Sequence, residues 1–171
     1  MFQEAVCNPW TKVSFHLLLT NLAIEDYFYM MTEFLEGAPV VLVSHPVLPS
    51  IVDCALQCLD SESAATLVSI YEWITRLFET LPNSKVPASC SPLLETIVLQ
   101  KGKTLVSQSF KGLLHHFPRE REVVSYVGDC FKAFYQLSPG FLFELVGMML
   151  DSLDEQSYSQ SEKAAFKEKF R

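Results

Sequence analysis

The sequence lacks the features that would assign it to several common functional classes. No uninterrupted apolar run reaches the roughly 18–20 residues that a membrane-spanning helix needs, so we do not expect membrane insertion. The apolar run 13–19 follows Glu4 rather than a basic cluster, and no small-residue cleavage site comes after it, which argues against a secretory signal. A Gly-rich phosphate loop, a nucleophile elbow and a His-Glu-x-x-His motif are also missing. The sequence therefore predicts a protein that is not an enzyme, with no catalytic residue and no cofactor, and a small helical enzyme using His115 or Cys130 is the least favoured alternative.

Cysteine is sparse, and its number does not suggest disulfides. Cys7, Cys54, Cys58, Cys90 and Cys130 are odd in number and mostly lie on apolar helix faces, which favours small buried side chains in a reducing compartment. Cys54 and Cys58 are one helical turn apart, a spacing that metal sites use. No second Cys or His pair follows at finger-like spacing, so we expect this pair to pack and predict no metal site.

No segment shows the alternating pattern of a strand. From residue 21 onwards the chain reads instead as consecutive amphipathic helices of about 12–20 residues, separated by turns marked by Pro, Ser or Gly. Residues 65–81 show this pattern well, and Trp73 lies off their apolar stripe. It is expected either to be partly buried against the next repeat or to be an exposed anchor for a ligand. The stripe itself consists of Leu67, Val68, Tyr71, Ile74, Leu77, Phe78 and Leu81.

Pro, Gly and Ser also indicate where the helices begin and end. Gly102 is predicted to separate two helices, Asp60 and Ser61 to cap another, and Ser159–Glu162 to form a capping box. The nearly apolar segment Phe141–Leu153 is predicted to be buried on several sides. The predicted elements are helices over 24–35, 46–59, 62–81, 92–100, 103–116, 119–138, 141–153 and 162–171, a helical turn over 40–43 and a loop over 83–92, and a short helix could also form over 10–19.

The paired helices repeat at roughly 40 residues, which is the period of HEAT-type arrays. The predicted fold is therefore all-α: an α-solenoid of antiparallel HEAT-type helix pairs. Residues 1–20 are expected to be irregular, and residues 21–171 to form three to four helix pairs of a longer solenoid. An array cut from a longer one exposes apolar end faces, so self-association through those faces is also expected.

Basic residues are scarce in one part of the chain. The net charge is −7, and all of the excess lies in residues 21–90, where nine acids face only Arg76 and Lys85. Such a surface would repel nucleic acid and attract a basic partner. A plain solvated face that keeps the protein soluble is an equally good interpretation.

Glu25, Asp26, Glu33 and Glu36 form an acidic edge on the first predicted helix, and they are the candidate surface for a basic cargo. Paired carboxylates can also perform general acid–base catalysis, but this requires a pocket and a shifted pKa, and the sequence predicts neither. An acidic ridge for basic peptides and a solvated helix face remain the two interpretations.

A basic cluster lies at one predicted turn, where His115 and His116 are accompanied by Lys111, Arg119 and Arg121. Adjacent helix residues point about 100° apart, so the two histidines cannot hold one metal ion without a further ligand. The cluster would suit a phosphate or an acidic partner. The favoured interpretation is an ordinary solvated turn.

Four segments resemble the C-terminal part of an importin-β-type nuclear transport receptor, in the branch that contains transportin-SR and importin thirteen. They lie in the order and spacing of that family's late HEAT repeats and cover most of residues 24–171. The segments are IEDYFYMMTEFLEGAPVVLVSHPVLPSIVDCAL (24–56), LVSIYEWITRLFETL (67–81), KTLVSQSFKGLL (103–114) with VGDCFKAFYQLSPGFLFELVGMMLDSLD (127–154), and SEKAAFKEKF (161–170).

The resemblance implies stacked helix pairs that curve around a protein cargo and a receptor that shuttles between cytoplasm and nucleus. Cargo would be basic or Arg/Ser-rich, with no direct contact to nucleic acid. Ran GTPase is expected to bind only the intact receptor, because it uses amino-terminal repeats that this chain does not resemble. The alternative is a purely structural segment that braces the solenoid and contacts no ligand.

Overall fold

The computed structural model describes residues 21–80 and 91–152, together with residues 161, 163 and 168. These ranges contain helices and no strand, which confirms the all-α prediction. In chain order the elements are α1 (Asn21–Gly37), α2 (Pro39–Ser44), α3 (Leu48–Gln57), a 3-10 turn (Cys58–Asp60), α4 (Ala64–Thr80), α5 (Ser91–His115), α6 (Arg121–Leu137) and α7 (Pro139–Ser152).

Three helices lie side by side in the order α1, α4, α6. Phe28 of α1 packs on Trp73 of α4 with ring centroids 5.5 Å apart, and Phe78 of α4 packs on Phe134 of α6 at 5.4 Å. Helices α1 and α4 run parallel: the Thr66 hydroxyl donates to the Asn21 carbonyl near their N-termini, at 3.3 Å, while Arg76 pairs with Glu36 near their C-termini. This row of three helices is here called the first row.

Helices α3, α5 and α7 form a second row, in which α5 contacts both neighbours. The core lies between the rows. The Tyr71 hydroxyl of α4 and the Ser109 hydroxyl of α5 form a buried hydrogen bond of 2.7 Å, and Phe110 of α5 stacks on Phe131 of α6. The six described residues of the predicted α4 stripe are all buried there, as the helical spacing predicted: Leu67, Val68, Tyr71, Ile74, Leu77 and Phe78.

Helix α5 corrects the predicted break at Gly102. The chain is helical without interruption from Ser91 to His115, and Gly102 is buried in the middle of the helix. A Cβ at Gly102 would lie 2.6 Å from Cζ of Phe134, so this glycine allows close packing between elements and does not end a helix.

Trp73 also differs from its prediction, because its side chain is fully buried in the core. It lies off the apolar stripe as the spacing indicated, but α1 covers that side of α4 through Phe28. The cap of α4 is shifted as well. The Ser63 hydroxyl accepts the Thr66 N–H at 3.4 Å, and the Ser61 hydroxyl accepts the Ser63 N–H, so Ser63 takes the place predicted for Asp60 and Ser61.

Helix α7 was predicted to be buried on several sides and is fully buried on one. Leu142, Leu145, Val146 and Leu150 are buried, whereas Met148 is exposed. The remaining helices begin and end within a few residues of their predicted positions. Residues 1–20, most of the predicted 83–92 loop, and the last helix with its capping box lie largely outside the described residues. Within the described ranges, no helix is both long and apolar enough to cross a membrane.

Candidate functional site

The solvent side of the first row carries a polar stripe on each of its three helices. Each stripe has a carboxylate, a Tyr or Arg four residues later, and a second carboxylate further along, so its members share one side of the helix. The three stripes together are here called the acidic face: Glu25, Tyr29 and Glu36 of α1; Glu72, Arg76 and Glu79 of α4; Glu122, Tyr126 and Asp129 of α6.

The packing of α4 between its two neighbours positions the middle stripe. Trp73 anchors one flank of α4 against α1, and Thr75 lies on the other flank beside Cys130 of α6. Glu72 and Arg76 project between these two flanks. The α4 stripe is therefore held at solvent between the stripes of α1 and α6.

A groove of about 350 Å³ runs between α4 and α6. Glu72, Arg76 and Glu79 line one wall, while Tyr126 and Asp129 line the other, with Lys132 beside them. The groove thus has three carboxylates and two cations, and one aromatic ring is available for stacking.

Arg76 links two of the helices. Its Nε lies 3.4 Å from Oε1 of Glu36, and its Nη1 lies 3.1 Å from Oε2 of Glu79. All three side chains are about half exposed. Arg76 therefore partly neutralises Glu36 and Glu79.

The carboxylates of the acidic face raise the pKa values of its two tyrosines. The pKa of Tyr29 is raised, first by partial burial and then by Glu25 of its own helix and Glu72 of α4. The pKa of Tyr126 is raised chiefly by Glu72, followed by partial burial and Glu122. Carboxylates from all three helices therefore lie close enough to raise the pKa values of these two tyrosines, and a surface of this kind would attract a cation.

The four acids predicted from the sequence all lie on α1 and differ in their surroundings. Glu25 is beside Tyr29, and Glu36 pairs with Arg76. Asp26 and Glu33 are exposed.

Sequence reasoning missed Glu72, Glu122 and Asp129, which extend the face across α4 and α6. The recurring i, i+4, i+7 polar spacing was a usable signal. The adjacency of the three helices could not be read from that spacing.

The predicted basic cluster does lie at the turn between α5 and α6. His115, Lys111, Arg119 and Arg121 are exposed. His116 is half-buried and packs edge-on against Phe117, with ring centroids 5.1 Å apart. This arrangement favours the solvated-turn interpretation.

The described cysteines are free thiols. Cys130 is buried, and Cys54 and Cys58 are half-buried. In the part of the chain that the structure describes, no group of three or more His, Cys, Asp or Glu residues is placed to hold a metal ion.

Searches against protein-family models and against curated proteins gave no match to the chain.

Proposed function

We propose that the chain is part of a nuclear import receptor of the importin-β type, and that its acidic face binds a basic, Arg/Ser-rich protein cargo. The observation that carries this proposal is the convergence of carboxylates from α1, α4 and α6 on one side of the first row, beside a groove of about 350 Å³. Ran GTPase would bind the intact receptor through other repeats, and the receptor would shuttle between cytoplasm and nucleus.

The order of packing supports the HEAT-type solenoid in this proposal. Along the chain, α1 with α2 and α3, α4 with α5, and α6 with α7 make three successive units. The first helices of these units lie next to one another, as do the last, and the hydrogen bond between Tyr71 and Ser109 joins α4 to α5. Stacking of similar helix pairs along one direction is what a helical-repeat array requires.

The chemistry of the face suits arginine in particular. A guanidinium group can pair with two carboxylate oxygens at once and can also stack on an aromatic ring. Glu72 lies near Tyr126 across the groove, with Asp129 on the same wall as the tyrosine. A basic segment would thus find paired charges and a stacking surface within one groove.

Binding of a fluorescent Arg/Ser-repeat peptide, measured by anisotropy at low and moderate salt, tests the proposal. The double variant Glu72→Gln, Asp129→Asn removes two negative charges from the groove. Each exposed charge contact contributes up to about 1 kcal/mol, so affinity at low salt should fall about tenfold. The affinity of the unaltered chain should also fall as salt rises.

The matched control is Glu95→Gln, Glu144→Gln, which makes the same change in net charge. Both side chains are exposed on helices of the second row, α5 and α7. Equal losses in the two double variants would show that only net charge matters. Equal affinity at low and high salt would refute electrostatic recognition at the acidic face.

The structural alternative has its own supporting observation. Arg76 uses its ion pairs to connect α1 with α4, as a bracing residue would. If these helices only brace a solenoid, the peptide will bind the groove variant and the unaltered chain equally.

A further inference from the structure

Two thiols outside the acidic face share one turn of helix. Cys54 lies in α3, and Cys58 is the first residue of the following 3-10 turn. Cys58 has right-handed helical backbone angles, and its N–H points towards the carbonyls of Ala55 and Cys54, so the helical turn continues across the boundary and places both side chains on the same side. Both residues are free and only half-buried, so small molecules can reach them.

The two thiols are neighbours on this side of the helix and influence each other's ionisation through hydrogen bonding. This bond lowers the pKa of Cys54, while burial opposes the change. The same bond and burial raise the pKa of Cys58. Cys54 therefore loses its proton first, and the Cys58 thiol donates to the resulting thiolate.

We propose that Cys54 and Cys58 form a dithiol site that binds one trivalent arsenical, a soft thiophilic group, between their two sulfur atoms. Soft sulfur ligands prefer soft ions, and two thiols one turn apart on the same side of a helix can both reach a single atom placed between them. A disulfide fits less well. It needs Cβ atoms roughly 3.5–4.5 Å apart, whereas residues one helical turn apart have Cβ atoms about 5–6 Å apart.

The number of available ligands also favours a trivalent arsenical over a zinc ion. A structural zinc ion takes four ligands, and the described residues contain no group of three or more Cys, His, Asp or Glu that could supply them. An organic arsenical brings its own carbon ligand and needs only two sulfurs. The pair therefore matches the arsenical.

The reaction with phenylarsine oxide balances without an oxidant or a reductant. Two As–S bonds form, two S–H bonds and the bond between arsenic and oxygen break, and the oxygen leaves as water with both protons. Arsenic remains trivalent.

The test uses the full chain with Cys7→Ser and Cys90→Ser, so that Cys54, Cys58 and the buried Cys130 remain. Phenylarsine oxide is added in the presence of excess glutathione, which competes for isolated thiols. Intact mass should show one arsenical per chain. Peptide mapping should show Cys54 and Cys58 protected from iodoacetamide until ethanedithiol is added.

Single variants Cys54→Ser and Cys58→Ser should each bind about a hundredfold more weakly, because the second As–S bond is then no longer intramolecular. The matched control is Cys58→Ser with Asp60→Cys, which keeps the number of thiols and moves one off the Cys54 side. It should bind as weakly as the single variants.

Undiminished binding by that control or by either single variant would overturn the proposal. Alkylation of Cys54 and Cys58 at the same rate with and without the arsenical would also overturn it. So would an arsenical bound to Cys130. The protection measurement uses the unaltered pair and does not depend on the stability of the variants, whose helicity is checked by circular dichroism.

Discussion

The buried thiol of Cys130 makes the free energy of unfolding decrease at alkaline pH. Its thiol is fully buried in α6. Burial raises the pKa of Cys130 from 9.0 to about 12, with a hydrogen bond to Thr75 of α4 opposing the change. The folded chain therefore keeps a proton at pH values where the unfolded chain loses it.

We expect the free energy of unfolding to fall as pH rises above about 9, because the unfolded state then binds fewer protons than the folded state. The contribution is fully present below that pH and is lost on the way to about 12, with a slope of at most about 1.4 kcal/mol per pH unit. Urea denaturation from pH 8 to pH 10 measures the slope. Cys130→Ala should make it shallower, and parallel curves for the two chains would contradict the assignment. Any cavity left by the substitution shifts the whole curve without changing its slope.

At the scale of the helix, α5 depends on a close approach that only glycine permits. A Cβ at Gly102 would lie 2.6 Å from Cζ of Phe134 and 3.2 Å from Cε1 of Phe141. Phe134 is fully buried and also packs on Phe78, so its ring has little room to move. Gly102 thus lets α5 approach α6 and α7.

Gly102→Ala should destabilise the fold by up to about 2 kcal/mol, since overpacking outweighs the gain in helix propensity. The matched control is Gly128→Ala on the exposed side of α6, where an added Cβ meets nothing within 4 Å. That substitution should stabilise by up to about 1 kcal/mol. The urea midpoints of the two variants should therefore move in opposite directions. Movement in the same direction would show that the ring of Phe134 yields without cost.

These residues also show what the sequence could predict and what it could not. Spacing alone predicted most of the helices and the buried side of α4, because an amphipathic period reflects whether a residue is buried, but the break predicted at Gly102 was wrong. The roles of Gly102 and Trp73 depend on Phe134 and Phe28, which are distant in sequence. The same limit applies to the acidic face. The acids of α1 could be predicted as one edge of a helix, but the contribution of Glu72 could be seen only once the position of α4 beside α1 and α6 was known.

At the scale of the whole molecule, the carboxylates of the acidic face repel one another, and Arg76 offsets part of this repulsion by pairing with carboxylates of two helices. Arg76 is the charged group that joins Glu36 of α1 to Glu79 of α4. Its removal would leave both carboxylates unneutralised. If the face binds a basic cargo, removing Arg76 should therefore lower stability and strengthen cargo binding.

Arg76→Gln should lower the free energy of unfolding by less than about 1 kcal/mol, because both ion pairs are about half exposed. If the face binds a basic cargo, the same variant should bind an Arg/Ser-repeat peptide about fivefold more tightly at low salt, since the groove becomes more negative. The gain should disappear as salt rises and screens the charges.

Lys103→Gln, an exposed position on α5 with the same change in net charge, is the control and should leave affinity nearly unchanged. Lower stability without tighter binding would instead assign Arg76 to bracing the first row, because a brace loses its ion pairs in this variant and gains no ligand.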